Sequence, residues 1–429
     1  MSVSSVFQSS RSSFVRADNQ RGPFVTAALL ALSITTSLSA AEIHVAAPLP
    51  ETNSLAGGFA ALSDPSKTPA SLYTNPDPMI GFSFPVIFDS GASGNLISRS
   101  TRDAFSIPTT GQKYQDVGIG GTETFDVTPL TRLLLAPSGV GITGADTLSN
   151  YSAAGDYKFQ AKVADVSTAL GDVPFDLIGT PLLRNKVLHV QPNTTDFTTF
   201  YDTMHSELLN KIPTTALPAK GVFHVPLQFQ NFVDLSGGTP PVTVGFNPVI
   251  PGVQVTDSRQ PANQQSAPQS WLLDTGGSVT IIGRDYATSI GIKLGVETPL
   301  YTVQVFGVGG EQRTLNGYQV QHLTVPLSTG DKLVYDDAIV FVPADTSTLP
   351  ANLGGIFGVN MLAPAFSMID EATGTPSDLT PSRYSDWYLD GPGNQLVLVD
   401  PTSNFVPEPT FIAIWAGAGF LLMRRNRRA

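Results

Sequence analysis

Apolar residues fall in short runs cut by glycine, proline and asparagine, without sustained helical spacing, which predicts a body built of strands and turns. Two runs stand out. FPVIFDSGAS (84–93) and SWLLDTGGSVTIIG (270–283) each carry an apolar stretch into Asp-[Ser/Thr]-Gly-[Ala/Gly]-Ser, and NLIS (95–98) or VTIIG (279–283) follows. Strand, tight glycine turn, strand is the local structure this predicts, with the aspartate buried at the turn.

The surroundings repeat as well. GIGG (118–121) begins 29 residues after Asp89, and GVGG (307–310) begins 33 after Asp274. Both sit between β-type segments, as hairpin tips with left-handed glycines do. FDLIG ends at Gly179, 90 residues beyond Asp89, and GGIFG ends at Gly358, 84 beyond Asp274. Upstream, EIHVAAPL around His44 and VFHVPLQF around His224 lie 45 and 50 residues before their aspartates. Four landmarks in one order, with the aspartates 185 apart, describe an internal duplication.

Thirty-nine glycines and 34 prolines in 429 residues reinforce the β reading, and the absence of cysteine excludes disulfides, thiol nucleophiles and thiolate-bound metals. At the N-terminus, Arg11, Arg16 and Arg21 precede the apolar stretch Phe24–Leu38 and the small residues Ser39, Ala40 and Ala41. That order reads as a secretory signal peptide over 1–41, with a helix packed on the body as the plainer alternative. At the other end, Val406-Pro407-Glu408-Pro409 leads into TFIAIWAGAGFLLM (410–423) and then RRNRR. Fourteen apolar residues fall short of the ~20 that span a bilayer comfortably, and the arginines would stay cytoplasmic. The tail (404–429) resembles the PEP-CTERM sorting signal of Gram-negative bacteria. That resemblance implies removal by an exosortase-type enzyme after signal-peptidase cleavage, and residence at the cell envelope or surface, membrane-anchored until processing. A plain tail anchor is the alternative. Seven of the 24 basic residues and one of the 35 acidic ones lie outside Glu42–Pro409, leaving 17 against 34 and a body near −17. Such a charge argues against nucleic acid or an anionic membrane as partner.

The duplicated landmarks resemble the pepsin-like and retropepsin-like aspartic proteases over nearly all of Glu42–Pro401. The resemblance implies an all-β, bilobal pepsin-like fold: an N-terminal lobe at 42–205, a linker at 206–220 and a C-terminal lobe at 221–403, around a central cleft. It makes Asp89 and Asp274 the catalytic pair, a polypeptide the substrate, and the protein a monomer needing no cofactor or metal. Ser90, Gly91, Thr275 and Gly276 would support the loops, the two hydroxyls locking them across the lobe interface. Ile178-Gly179 and Phe357-Gly358 match the segments that cross behind the loops, and Gly120, Gly121, Gly309 and Gly310 match flap glycines. Some details depart from the pattern. No tyrosine lies in VGIGGTETFDV, both halves carry a glycine hairpin, and Gly277 stands where a small side chain is usual, which would loosen that loop.

Two carboxylates within hydrogen-bond reach cannot both ionise cheaply, so one proton is shared and a water between them can be deprotonated while the carbonyl is polarised. The expectation from the loops' backbone donors is a depressed lower pKa and a raised upper one. Other chemistries find little support: His44, His189, His205, His224 and His322 are scattered without metal-ligand spacing, and GASG is not a nucleophile elbow. The strand pattern is expected to break over 202–221 and the Pro/Gln-rich stretch 240–270 to form an exposed insertion, while Glu42 to about Pro78 is long enough to cover the cleft as a pro-segment. The reading is an exported aspartic endopeptidase, or else a non-catalytic envelope protein that binds or scaffolds with the same cleft. Mature protein from the native host should lack Phe411–Ala429; intact-mass analysis of the envelope fraction that finds the whole C-terminus makes the tail a simple anchor.

Overall fold

The computed structural model describes residues 40–406 except 68–70, 78–80, 119–120, 137–147, 169–170, 199–200, 214, 216, 234–237, 261–265, 307–311, 346–348, 350–351 and 370–375. Residues 1–39 of the expected signal peptide (1–41), Pro407–Pro409 of the expected sorting motif and the apolar tail lie outside the described residues. Among the described residues no helix is long and apolar enough to cross a membrane.

Both Asp runs are strands, Ser83–Phe88 and Gln269–Asp274, and their apolar side chains fill the interior: Val86, Trp271 and Leu273 have no accessible surface. After each loop the chain returns as a two-residue strand, Leu96–Ile97 or Ile281–Ile282. The apolar-apolar-Gly segments then thread between outgoing and returning strands. Leu177–Ile178 pairs parallel with 83–88 and antiparallel with 96–97; Leu353–Gly358 pairs parallel with 269–274 and antiparallel with 281–282. Glycine ends each crossing because of space. A Cβ on Gly179 would lie 2.2 Å from Gly94 O, and one on Gly358 2.2 Å from Val279 O. Their φ values, −96° and −76°, suit any residue, so the constraint is steric.

The rest of each half follows the same plan. A long strand, Ser54–Asp64 or Asn247–Thr256, pairs antiparallel with the Asp strand. A six-residue helix, Arg99–Ala104 or Arg284–Ser289, follows the returning strand. Then comes a hairpin, Lys113–Gly118 with Gly121–Val127 or Tyr301–Phe306 with Gln312–Gln319. Each half forms a large mixed sheet. Strands from both chain halves complete the first one, in the order 222–226, 395–399, 386–390, 187–198, 202–209, 54–64. One hydrophobic core runs through both halves, from Val86 and Ile178 to Leu273 and Phe357. The fold is all-β, built on two large mixed sheets and duplicated about the two Asp loops.

Three local expectations are corrected. The Pro-rich stretch 240–270 is not an exposed insertion: Asn247–Thr256 is a core strand with Val249, Ile250, Val253 and Val255 fully buried. Pro248 is the second residue of that strand and Pro251 sits at its bulge between Ile250 and Val253, where a missing N–H is tolerated. Residues 202–209 do not break the pattern but form a strand, with Thr203, Met204 and Ser206 turned inward. Nor is Glu42–Pro78 a separate cover. Glu42–Ala46 adds parallel to 332–336 in the second sheet, and 54–64 is a central strand whose first ten residues are buried.

Gly179→Ala and Gly358→Ala should each destabilise the fold by about 3 kcal/mol or more, because the added methyl meets backbone that cannot rotate aside. Urea unfolding of either variant that stays within ~0.5 kcal/mol of the parent would show that the crossing is less crowded.

Candidate active site

The crossing strands deliver the two Asp loops to each other. Gly91 N and Ala92 N donate to Asp89 Oδ1 (2.7 and 3.1 Å), and Gly276 N donates to Asp274 Oδ1 (3.0 Å). The two carboxyl groups are close enough to act on one another's ionisation. Glycine is required at 91 and 276 for the same approach: a Cβ on Gly91 would lie 2.6 Å from Asp274 Cγ, and one on Gly276 2.5 Å from Asp89 Cγ. Each loop therefore lies against the other loop's carboxylate.

The hydroxyls of Ser90 and Thr275 cross between the loops reciprocally. Thr275 Oγ1 donates to Phe88 O (2.6 Å) and accepts from Ser90 N (2.9 Å). Ser90 Oγ donates to Leu273 O (2.6 Å) and accepts from Thr275 N (3.1 Å). Both residues are fully buried, so each bond replaces one that water cannot supply.

Supporting contacts repeat with the duplication. Thr180 N donates to Ala92 O (3.0 Å), and Val359 N to Gly277 O (2.8 Å), fixing the third residue past each aspartate. Gly179 N donates to Asn95 Oδ1 (2.9 Å), and Gly358 N to Thr280 Oγ1 (3.3 Å), each six residues past its aspartate. Ile178 and Phe357 are buried behind the loops. Gly245 N donates to Ser93 O (2.7 Å) and Thr52 N to Ser278 O (3.2 Å), so the approach to each half's long strand holds the other half's loop. Asn247 was missed from sequence. Its buried amide donates to Ser90 O (3.1 Å) and Gly91 O (2.8 Å) and accepts from Ser93 Oγ (2.7 Å). No local motif marks it; only its place at the head of the second half's long strand does. At Gly277 a Cβ would come within 2.9 Å of Asp274 Oδ2, so its glycine leaves room beside the carboxylate.

Electrostatics corrects one expectation. Burial, then the charge of Asp274 and the hydrogen bond to it, hold Asp89 well above the ordinary carboxylate range against the Gly91 and Ala92 N–H groups. Burial raises Asp274 as well, against the hydrogen bond from Asp89 and the Gly276 and Gly277 N–H groups. Neither carboxyl is depressed, because desolvation outweighs two backbone donors apiece. Both residues nonetheless keep some accessible surface. Two surface concavities lie elsewhere, one lined by Asp257, Arg259, Glu297 and Tyr318 and one beside Arg284 and Lys293. Neither touches the carboxylates.

Of the glycines expected in flaps, Gly121 is described: it has φ 99° and pairs with Gly118 at a hairpin end. Gly120, Gly309 and Gly310 lie outside the described residues, and Val406 is exposed at their C-terminal limit. The histidines occupy strands, but two of them are not scattered in space. His44 and His322 meet at Asp336, a grouping invisible to sequence spacing.

No protein-family model matches the chain, and no curated protein sequence matches it. Among solved structures it is similar to the crystal structure of basic 7S globulin from soybean, at 9% identity over 80% of this chain and 95% of that one, with a TM-score of 0.35. A likeness this distant carries no argument about activity.

Thr275→Val keeps the shape of the side chain but leaves Phe88 O and Ser90 N unpaired, and should cost about 2–5 kcal/mol, whereas Thr275→Ser should stay within ~1 kcal/mol of the parent. Denaturant unfolding that ranks the two variants equally would mean the hydroxyl does not lock the loops.

Proposed function

We propose that this chain is an aspartic endopeptidase that hydrolyses peptide bonds with a water held between Asp89 and Asp274. The observation that carries the proposal is the meeting of two carboxyls, each on its own Asp-[Ser/Thr]-Gly loop and each lying against the glycine of the other loop. A pair that shares one proton holds both halves of the required chemistry at one point. The ionised carboxylate takes a proton from the water as its oxygen attacks the scissile carbonyl. The protonated partner donates to the carbonyl oxygen, and the amine leaves after receiving a proton from the pair. The carboxyls act as one titrating unit, so neither is assigned a fixed role. Export through the 1–41 segment and processing of the 404–429 tail complete the proposal and would place the substrate outside the cytoplasm, among envelope or extracellular polypeptides.

Activity requires one proton on the pair, so rate against pH should be bell-shaped. With both carboxyls raised by burial, the optimum should be mildly acidic, not strongly so. The same shifts set a stability slope. For groups raised in the folded state, the stabilisation is complete below their unfolded values and fades as pH rises through the folded ones. Asp89→Asn and Asp274→Asn should therefore each cut cleavage of a denatured protein by about 10³-fold or more, while being no less stable than the parent at neutral pH. A hydroxyl-bearing peptide that mimics the tetrahedral intermediate should inhibit the parent. Either Asn variant within tenfold of parental activity would overturn the dyad and move a binding role ahead.

A further inference from the structure

We infer that His44, His322 and Asp336 form a binding site for a first-row divalent transition-metal ion, zinc above all, which clamps the N-terminal strand to the second sheet. The residues come from three adjacent strands. Glu42–Ala46 runs parallel to Lys332–Asp336, which pairs antiparallel with His322–Pro326. His322 stands directly opposite Asp336; His44 stands opposite Val334, two residues from Asp336 and so on the same face. The pairing alone thus brings two imidazoles to one carboxylate.

The side chains converge as that register dictates. His44 Nδ1 lies 2.9 Å from Asp336 Oδ1 and 3.2 Å from Oδ2, and His322 Nδ1 lies 2.8 Å from the same Oδ1. A potential ligand atom of each residue is within 4.8 Å of the other two. The rings stand edge to face at 78°, with centroids 5.6 Å apart. Zinc bonds of 2.0–2.1 Å at tetrahedral angles separate neighbouring ligands by about 3.3–3.4 Å, so each nitrogen–oxygen separation would open by about half an ångström while the two nitrogens settle to the same spacing around an ion. The side chains have that freedom, being 48%, 29% and 34% exposed for His44, His322 and Asp336. Exposure also provides the entry path and a position for water as fourth ligand.

Ligand chemistry selects the ion. Two imidazoles and one carboxylate suit zinc, cobalt, nickel or copper, whereas calcium and magnesium prefer oxygen alone. Glu42 Oε2 approaches His44 from its other nitrogen, 3.9 Å from Nε2, and Lys332 Nζ donates to Glu42 Oε1 at 3.1 Å. Glu42 can therefore orient the ring when Nδ1 is metal-bound, as outer carboxylates do for ligating histidines. The site is remote in topology from the dyad: 322–326 and 247–256 intervene between 332–336 and the Asp274 strand. Its role is to secure 42–46, which otherwise adds only as a parallel edge strand.

The test uses the full, untagged chain after dialysis against chelator. Zinc titrated by calorimetry should bind at one equivalent per chain, and cobalt should give the visible absorption of a low-coordinate nitrogen–oxygen site. Zinc should also raise the melting temperature, and magnesium and calcium should do neither. His44→Gln and His322→Gln should each weaken zinc at least tenfold while retaining the parental far-ultraviolet spectrum. Asp89→Asn should bind zinc like the parent, which separates this site from the proposed dyad. No saturable zinc binding below millimolar concentration, or equal binding by the parent and the His44→Gln/His322→Gln double variant, would overturn the site and leave an ordinary His–Asp–His hydrogen-bond cluster.

Discussion

Two carboxyl groups pressed together in an enclosed place repel each other unless they share a proton, and the surroundings of Asp89 and Asp274 are arranged to hold them there. Desolvation raises both. The loops cannot relax apart, because the Ser90 and Thr275 hydroxyls each bond backbone on the opposite strand. They cannot be pushed apart from behind either, since Gly179 and Gly358 pack their crossing strands onto loop carbonyls at distances that exclude a methyl. Much of the polar network in the centre of the molecule serves this one contact.

Neither half completes the site alone. The carbonyl accepting from Thr275 belongs to Phe88, and the one accepting from Ser90 belongs to Leu273. Asn247, from the second half, holds the carbonyls of the first loop, and Thr52, from the first half, holds Ser278 in the second. The shared core and the sheet built from both chain halves make the same point on a larger scale. Any chemistry at the dyad thus reports that both halves are folded and docked.

What could be read from the sequence was what depends on local pattern. An apolar run into Asp-[Ser/Thr]-Gly, repeated with a following Gly-rich hairpin and an apolar-apolar-Gly segment, revealed the duplication, the aspartate pair and the crossing strands. Residues that act through register were hidden. Asn247 sits in a Pro-rich stretch resembling a loop, yet its strand is central because Val249, Ile250, Val253 and Val255 supply buried apolar faces around Pro251. His44, His322 and Asp336 are ordinary strand residues until the parallel addition of 42–46 aligns them. Burial, which no short motif encodes, also decided the direction of Asp274 against its backbone donors.

The position of the N-terminal strand has a kinetic consequence. Glu42 bonds Lys332, 290 residues later, and Ile43 pairs with Leu333. At synthesis rates of roughly 5–20 residues per second, the partner arrives on the order of 15–60 s after the strand is made. Through that interval Ile43 and Val45 have no native surface to cover them, and such sequence-distant pairing is slow even once the chain is complete. The first strand of the body is thus among the last that can find its place, and until it does the 332–336 strand offers an open edge on which a second chain can add.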